Sequence, residues 1–217
     1  GSKGIKKKNL VKIGNSPLIK YTIDSAKKSN LISDLIVTTD SKEIAKYCKK
    51  LMVNVPFIRP KHLSTDKAST LDVILHAEKI YSKLSKKNFD YILLLQPTTP
   101  FRATSLIDKS IKKLIKSGAD ALVTLSDVGA NHPFRMYELS KSDKIKPLLK
   151  NKTPMLGRQY LPKFYIRSGE IYLVSNKILK KYKTLLPKNT IGYISNNKNN
   201  INIDSYQDLA LAKVFLK

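Results

Sequence analysis

The sequence predicts an α/β protein of three layers, a mostly parallel sheet with helices on both faces. Two patterns carry this expectation. The runs Leu35-Ile36-Val37-Thr38-Thr39, Tyr91 to Leu95 and Ala121-Leu122-Val123-Thr124-Leu125 are short, rich in branched residues and almost continuously apolar, as strands covered on both faces are. Between them lie segments with apolar residues at helical spacing, such as Leu71, Ile74, Leu75, Ala77, Ile80, Tyr81 and Leu84. Strands alternating with helices of about 10–15 residues read as βαβ units.

Taken in order, residues 1–10 form a loop of small residues and lysines. Its accessible amides and cations suit a phosphate cradle, and equally a basic terminus. Ser16 and Pro17 read as N-cap and first position of a helix whose inward face is Leu18, Ile19, Thr22, Ile23 and Ala26. The strand at 35–39 ends at Asp40, and a helix follows from Ser41 to Lys50. Val53-Asn54-Val55 is a short strand stopped by Pro56, and a loop runs from Arg59 to Lys67. A helix spans Ser69 to Leu84, and the strand at 91–95 breaks at Gln96-Pro97-Thr98-Thr99-Pro100-Phe101-Arg102. Thr104 then caps a helix running to Lys116. Residues 131–168 interrupt the alternation and hold three of the five arginines and four of the ten prolines, so they read as an excursion from the sheet. The alternation resumes with a strand at 170–174, a helix from Asn176 to Tyr182 and a strand at 191–194. Ile201-Asn202-Ile203-Asp204 then alternates ahead of a helix capped by Ser205.

With 217 residues and a prior of roughly 150 per domain, one domain over 1–217 is expected. No apolar run reaches the ~18 residues of a membrane span and no leading apolar signal is present, so no membrane partner is expected and a cytoplasmic setting fits. The single cysteine, Cys48, cannot form an internal disulfide, and three histidines offer no zinc spacing. Lysine and arginine total 41 against 16 acidic residues, a net charge of +25 that would attract any polyanion. A basic nucleic-acid-binding module is therefore the non-enzymatic alternative. Against it, the cations are dispersed and no stretch interleaves them with aromatics as a stacking platform does, so no specific nucleic acid is expected. Arginine is the rarer and more telling cation, since its planar fork grips carboxylate or phosphate with two parallel bonds.

In an open parallel sheet, ligands bind in the crevice at the carboxyl ends of the strands. The polar groups placed there are Asp40, Gln96 with Arg102, the segment from Arg158 to Arg167, and Asp204. Asp40 reads equally well as a helix N-cap, and Asp208, three residues after Ser205, as half of a capping box. Asp204 stands outside the first helical turn and has no such structural role.

Gly1-Ser2-Lys3-Gly4 through Lys8-Asn9-Leu10, Thr38-Thr39-Asp40, Arg59-Pro60, Gln96 to Arg102, Arg158-Gln159-Tyr160-Leu161-Pro162, Gly169-Glu170-Ile171-Tyr172 and Ile201-Asn202-Ile203-Asp204 follow one another along the whole chain. In that order they closely resemble the acylneuraminate cytidylyltransferases, or CMP-sialic acid synthetases. The resemblance implies a nucleotide-diphospho-sugar transferase-like fold with 131–168 as a dimerisation excursion, hence a homodimer. It implies transfer of a cytidylyl group from CTP to a nine-carbon 2-keto sugar acid with release of pyrophosphate. The alternatives are a nucleotidyltransferase for a legionaminic, pseudaminic or eight-carbon acid, and an inactive, truncated relative that only binds nucleotide.

By the same resemblance, Ser2, Lys3, Lys8 and Asn9 form the nucleotide loop, with the lysines on phosphates and Asn9 towards the base. Arg59 lies near the cytosine ring, and Gln96, Arg102 and Arg158 serve the sugar acid. Lys3, Lys8 and Asp204 are catalytic, and Asp204 binds magnesium. Two departures stand out. The family motif begins with a strand ending in Ala-Arg, absent ahead of Gly1, and its Asp-Ile-Asp motif here reads Asn202-Ile203-Asp204, which leaves one carboxylate where two are usual.

Overall fold

The protein is described by a computed structural model covering residues 4–149 and 157–216. Lys12–Ile13 (β1) and Ser16–Pro17 (β2) form a small antiparallel ladder around Gly14, whose φ of +56° a side chain would resist. Helix α1 (Leu18–Lys27) therefore starts one residue later than its sequence suggests, with Pro17 at the N-cap. All five residues expected on its inward face are buried. Ser41 caps α2 (Lys42–Lys50), its hydroxyl accepting from the Ile44 amide. Asp40 is thus free of the capping role that it could have filled.

The run 35–39 lies parallel to 53–58, tied by bridges at Ile36 with Asn54 and Thr39 with Ile58, without a continuous ladder. After α3 (Thr70–Ser85), strand β3 (Tyr91–Leu94) and helix α4 (Thr104–Ser117) lead to β4 (Ala121–Asp127). Ala103, not Thr104, is the N-cap of α4, because Arg102 turns inward and leaves Ala103 as the last extended residue. The excursion carries a hairpin, β5 (Tyr137–Leu139) with β6 (Ile145–Pro147), and occupies 128–164. Its base is pinned by buried His132, whose Nδ1 accepts the Phe134 amide and whose Nε2 lies 2.9 Å from the Pro162 carbonyl. Strand β7 (Tyr165–Ser175), helix α5 (Asn176–Tyr182), strand β8 (Thr190–Ile194) and helix α6 (Tyr206–Val214) complete the chain.

The central sheet has the order β3-β7-β4-β8. Strands β4 and β8 are parallel, while β7 is antiparallel to both β3 and β4, so the sheet is mixed where a mostly parallel one was expected. The reason is connectivity. A parallel return needs a crossover, usually a helix. The described residues of the excursion supply none, and the chain re-enters beside β4 in the opposite direction. The layering follows the expectation: Leu122, Ile171 and Leu173 pack under Leu106, Ile107 and Leu114 of α4, whereas Ala121 and Val174 face Ile74 of α3 and Leu179 of α5. Each of these leucines, isoleucines and the valine taken from water contributes roughly 1.5–3 kcal/mol. A further core joins Ile5, Ile13 and Leu18 to Ile201, Ile203 and Leu209, bringing the two distant ends of the described chain together.

Candidate active site

The pairing of β4 with β7 is irregular between Val123 and Leu125, and there the Thr124 hydroxyl takes the place of a ladder partner. It accepts from the Ile171 amide at 2.9 Å and from Ser168 Oγ at 2.7 Å. This distortion puts Gly169 at φ +77°, where its carbonyl accepts from Thr99 Oγ1 at 2.9 Å. The loop after β3 is thereby fastened to the middle of β7. The segment before α6 is fastened in turn, because the Ile203 amide donates to the Thr98 carbonyl at 2.8 Å. Alternation at 201–204 does its work without a ladder: Ile201 and Ile203 are buried, Asn202 and Asp204 exposed.

On this frame Lys8 meets Asp204. The Lys8 ammonium lies 2.9 Å from Asp204 Oδ1, with the lysine side chain 14% and the aspartate side chain 62% exposed. The Asn202 carboxamide donates to Asp204 Oδ2. Both carboxylate oxygens are therefore engaged, one by a cation and one by an amide. The Asp204 and Ser205 amides donate to Asp208 Oδ2, which with the Ser205 hydroxyl makes the expected capping box and holds the Asp208 carboxyl below its ordinary value. Gly4 presses against the same turn, where a Cβ would stand 2.6 Å from the Asp204 carbonyl oxygen, so only glycine fits.

The first loop also reaches the opposite wall. Lys7, at φ 52°, pairs with Glu43 at 2.6 Å, and Leu10, next to Asn9, packs among Leu35 and Val37 of the run that ends at Asp40. There Arg59 lies 3.3 Å from Asp40 Oδ1 and donates through Nε to Ser64 Oγ at 3.2 Å. Half-buried Asn9 has no side-chain hydrogen bond among the described residues. The same holds for the half-buried Gln96 carboxamide.

Arg102 is placed differently from its expected role. It is 4% exposed, and its guanidinium is spent on the scaffold: Nη2 to the Gln96 carbonyl and Thr99 Oγ1, Nη1 to Thr22 Oγ1, and Nε to the Glu170 carbonyl. Burial pushes its pKa down to about 10, against the opposing charge of Glu170. Such a group cannot turn out to grip a sugar acid without abandoning these bonds. Ser2 and Lys3 lie outside the described residues; the backbone of Arg158 begins a 3-10 turn, Arg158–Tyr160, and its side chain is outside the description. Two concavities of about 290 and 450 Å³ flank Ala103, and neither is lined by Lys8, Arg59, Gln96 or Asp204. Charge and donor placement, rather than enclosed volume, mark the site.

Sequence reasoning missed Lys7, Glu43, Glu170 and Asn197. Glu170 carried a signal, being a charged residue directly ahead of the apolar run Ile171 to Val174.

The cytidylyltransferase family profile matches residues 1–217. The chain belongs to this family. It is 30% identical over its full length to post-translational flagellin modification protein B of Campylobacter coli, covering 91% of that protein. It is 29% identical to the N-acylneuraminate cytidylyltransferase of Escherichia coli O18:K1:H7, over 98% of this chain and 49% of that one. Among solved structures, a CMP:2-keto-3-deoxy-manno-octonic acid synthetase complexed with CTP superposes with a TM-score of 0.69 at 13% identity, over 100% of this chain and 94% of that one. The cytidylyltransferase is thus a nucleotidyltransferase with a nucleotidyltransferase fold. Among the described residues, none of its helices is long and apolar enough to cross a membrane.

Proposed function

We propose that this cytidylyltransferase transfers the cytidylyl group of CTP to the anomeric hydroxyl of a nine-carbon 2-keto sugar acid of the sialic type. The carrying observation is the joining of Lys8 and Asp204 to the Gln96 turn through the Ile203 to Thr98 hydrogen bond. In the reaction, the sugar hydroxyl oxygen bonds to the α-phosphorus, the bond from that phosphorus to the bridging oxygen of the β-phosphate breaks, and pyrophosphate leaves. The hydroxyl proton passes to solvent. Negative charge builds on the phosphates during this exchange, and fixed cations stabilise it. Lys8 and Lys3 are suited to that task, Asn9 and Arg59 to the base, and Gln96, whose carboxamide has no partner among the described residues, to the sugar acid.

The donor set bears on the metal. Asp204 and Asn202 offer one carboxylate and one carboxamide, and among the described residues no group of three or more His, Cys, Asp or Glu could hold an ion alone. That fits magnesium, which pairs one or two carboxylates with substrate phosphates and water. Bound at Asp204, magnesium would draw charge from the phosphate oxygens. A cation there would compete with the Lys8 ammonium for Asp204, which would leave Lys8 available to the triphosphate.

A homodimer belongs to the same reading. The excursion and the start of β7 expose Tyr137, Leu139, Ile145, Leu148 and Ile166, an apolar set suited to a second copy, and Arg158 would then approach the sugar acid of the partner. Sedimentation at micromolar concentration should show a dimer. A clean monomer would remove Arg158 from the site.

The reaction is tested by pyrophosphate release across four nucleoside triphosphates and sialic, legionaminic, pseudaminic and eight-carbon keto-sugar acids. CTP with a nine-carbon acid should give the highest rate. Equal or faster release with GTP would refute the cytidylyl assignment, and a faster eight-carbon acid would refute the substrate class.

A further inference from the structure

Arg102 and Glu170 form a buried assembly that the reaction chemistry does not use. Glu170 is 1% exposed. Its Oε1 accepts from Asn197 Nδ2 at 2.9 Å, and the same amide group donates to the Phe101 carbonyl at 2.9 Å. Its Oε2 is buried with no hydrogen-bond partner among the described residues. Arg102 meets Glu170 at its backbone carbonyl, and the charge of Glu170 favours the charged guanidinium.

The geometry ties three loops together. Arg102 Nη2 reaches the Gln96 carbonyl at 3.2 Å and Thr99 Oγ1 at 2.9 Å, fixing both ends of the turn whose Thr98 carbonyl receives the Ile203 amide. Its Nε fastens that turn to β7 at the Glu170 carbonyl, while the Glu170 carboxylate holds Asn197 of the loop leading to Asp204. Asn200 adds a second tie to β7, donating to the Ser168 carbonyl at 3.2 Å. We infer that Arg102 and Glu170 are positioning residues which fix Gln96 relative to Asp204, and so set the sugar acid's hydroxyl against the α-phosphate. The inference rests on the proposed roles of Gln96 and Asp204. Near-attack geometry is worth large factors in rate, and misplacement of about 1 Å can cost about 10²-fold.

Lysine at position 102 separates positioning from charge alone. Arg102→Lys keeps a cation at the position, but an ammonium cannot span the four acceptors that the planar fork reaches. Relative to Arg102→Met, the lysine variant should recover much of the lost thermal stability without recovering catalysis. Its KM for the sugar acid should rise about tenfold or more and its kcat fall, while the Kd for CTP stays within about twofold. Asn197→Ala, which spares Arg102, should lower kcat and speed exchange of the Ile203 amide about tenfold, leaving the Leu122 amide in β4 unchanged.

Wild-type KM and kcat in Arg102→Lys would reduce Arg102 to a counter-charge and overturn the inference, as would equal losses of CTP and sugar-acid affinity. Unchanged Ile203 exchange in both Arg102→Met and Asn197→Ala would overturn it without reference to turnover. By contrast, a wild-type protein that neither binds CTP nor releases pyrophosphate with any keto-sugar acid would sink the proposed reaction while the exchange result still judged the clamp.

Discussion

Asp204→Asn is expected to lower turnover by about 10²–10³-fold, the scale on which loss of one preorganised electrostatic group acts. The fold should survive, since the Asp204 side chain is 62% exposed and an exposed ion pair contributes about 0–1 kcal/mol. The capping box that starts α6 depends on Ser205 and Asp208 and is untouched. The companion change, Asn202→Asp, should lower the magnesium concentration needed for half-maximal rate, because it replaces a donor amide on Asp204 by a second carboxylate. Pyrophosphate release against magnesium concentration checks both. Undiminished turnover in Asp204→Asn would move the carboxylate role to Asp40, which lies beside Arg59.

Lys8→Met is expected to have two effects of opposite sign. In the absence of nucleotide it should strengthen binding of a divalent ion such as manganese, because Asp204 Oδ1 loses the ammonium that competes for it. It should also weaken CTP by about 10-fold to 10²-fold, the equivalent of the roughly 1.5–3 kcal/mol of a charge-assisted hydrogen bond. Titration of manganese and of CTP, each with and without the other, checks this. In the wild type the two ligands should help each other, since either one draws Lys8 and Asp204 apart. Unaltered manganese affinity in Lys8→Met would show that Lys8 does not guard the carboxylate.

Much of this arrangement was legible before any coordinates. The inward face of α1, the helix expected from Ser41 and found from Lys42, the helix from Asn176, and the Ser205 to Asp208 box follow from spacing or capping chemistry that acts within one or two turns. The direction of β7 was not legible, because an apolar strand reads the same whichever way it runs and only the absence of a crossover decides. Arg102 misled for a related reason. Its type suits an anionic ligand, and nothing local tells that Thr99 and the Glu170 carbonyl bind its guanidinium inside the fold. Gln96 and Arg102 are six residues apart and look like one binding motif, yet among the described residues one makes no side-chain hydrogen bond while the other is committed to holding its neighbour in place.

The ion pair between Lys8 and Asp204 spans 196 positions of sequence, and the core beneath it is built from Ile5 and Ile13 on one side and Ile201, Ile203 and Leu209 on the other. Closing so long a loop is slow to begin and needs the late segment present. During synthesis, then, the first loop must wait, its lysines facing water, until nearly the whole described chain has been made. A nascent chain short of residue 203 has no finished Lys8–Asp204 pair, however much of β3, β4 and β7 has already paired. If that pair serves CTP as proposed, a nucleotide in the medium would act on this late closure rather than on the sheet that forms before it.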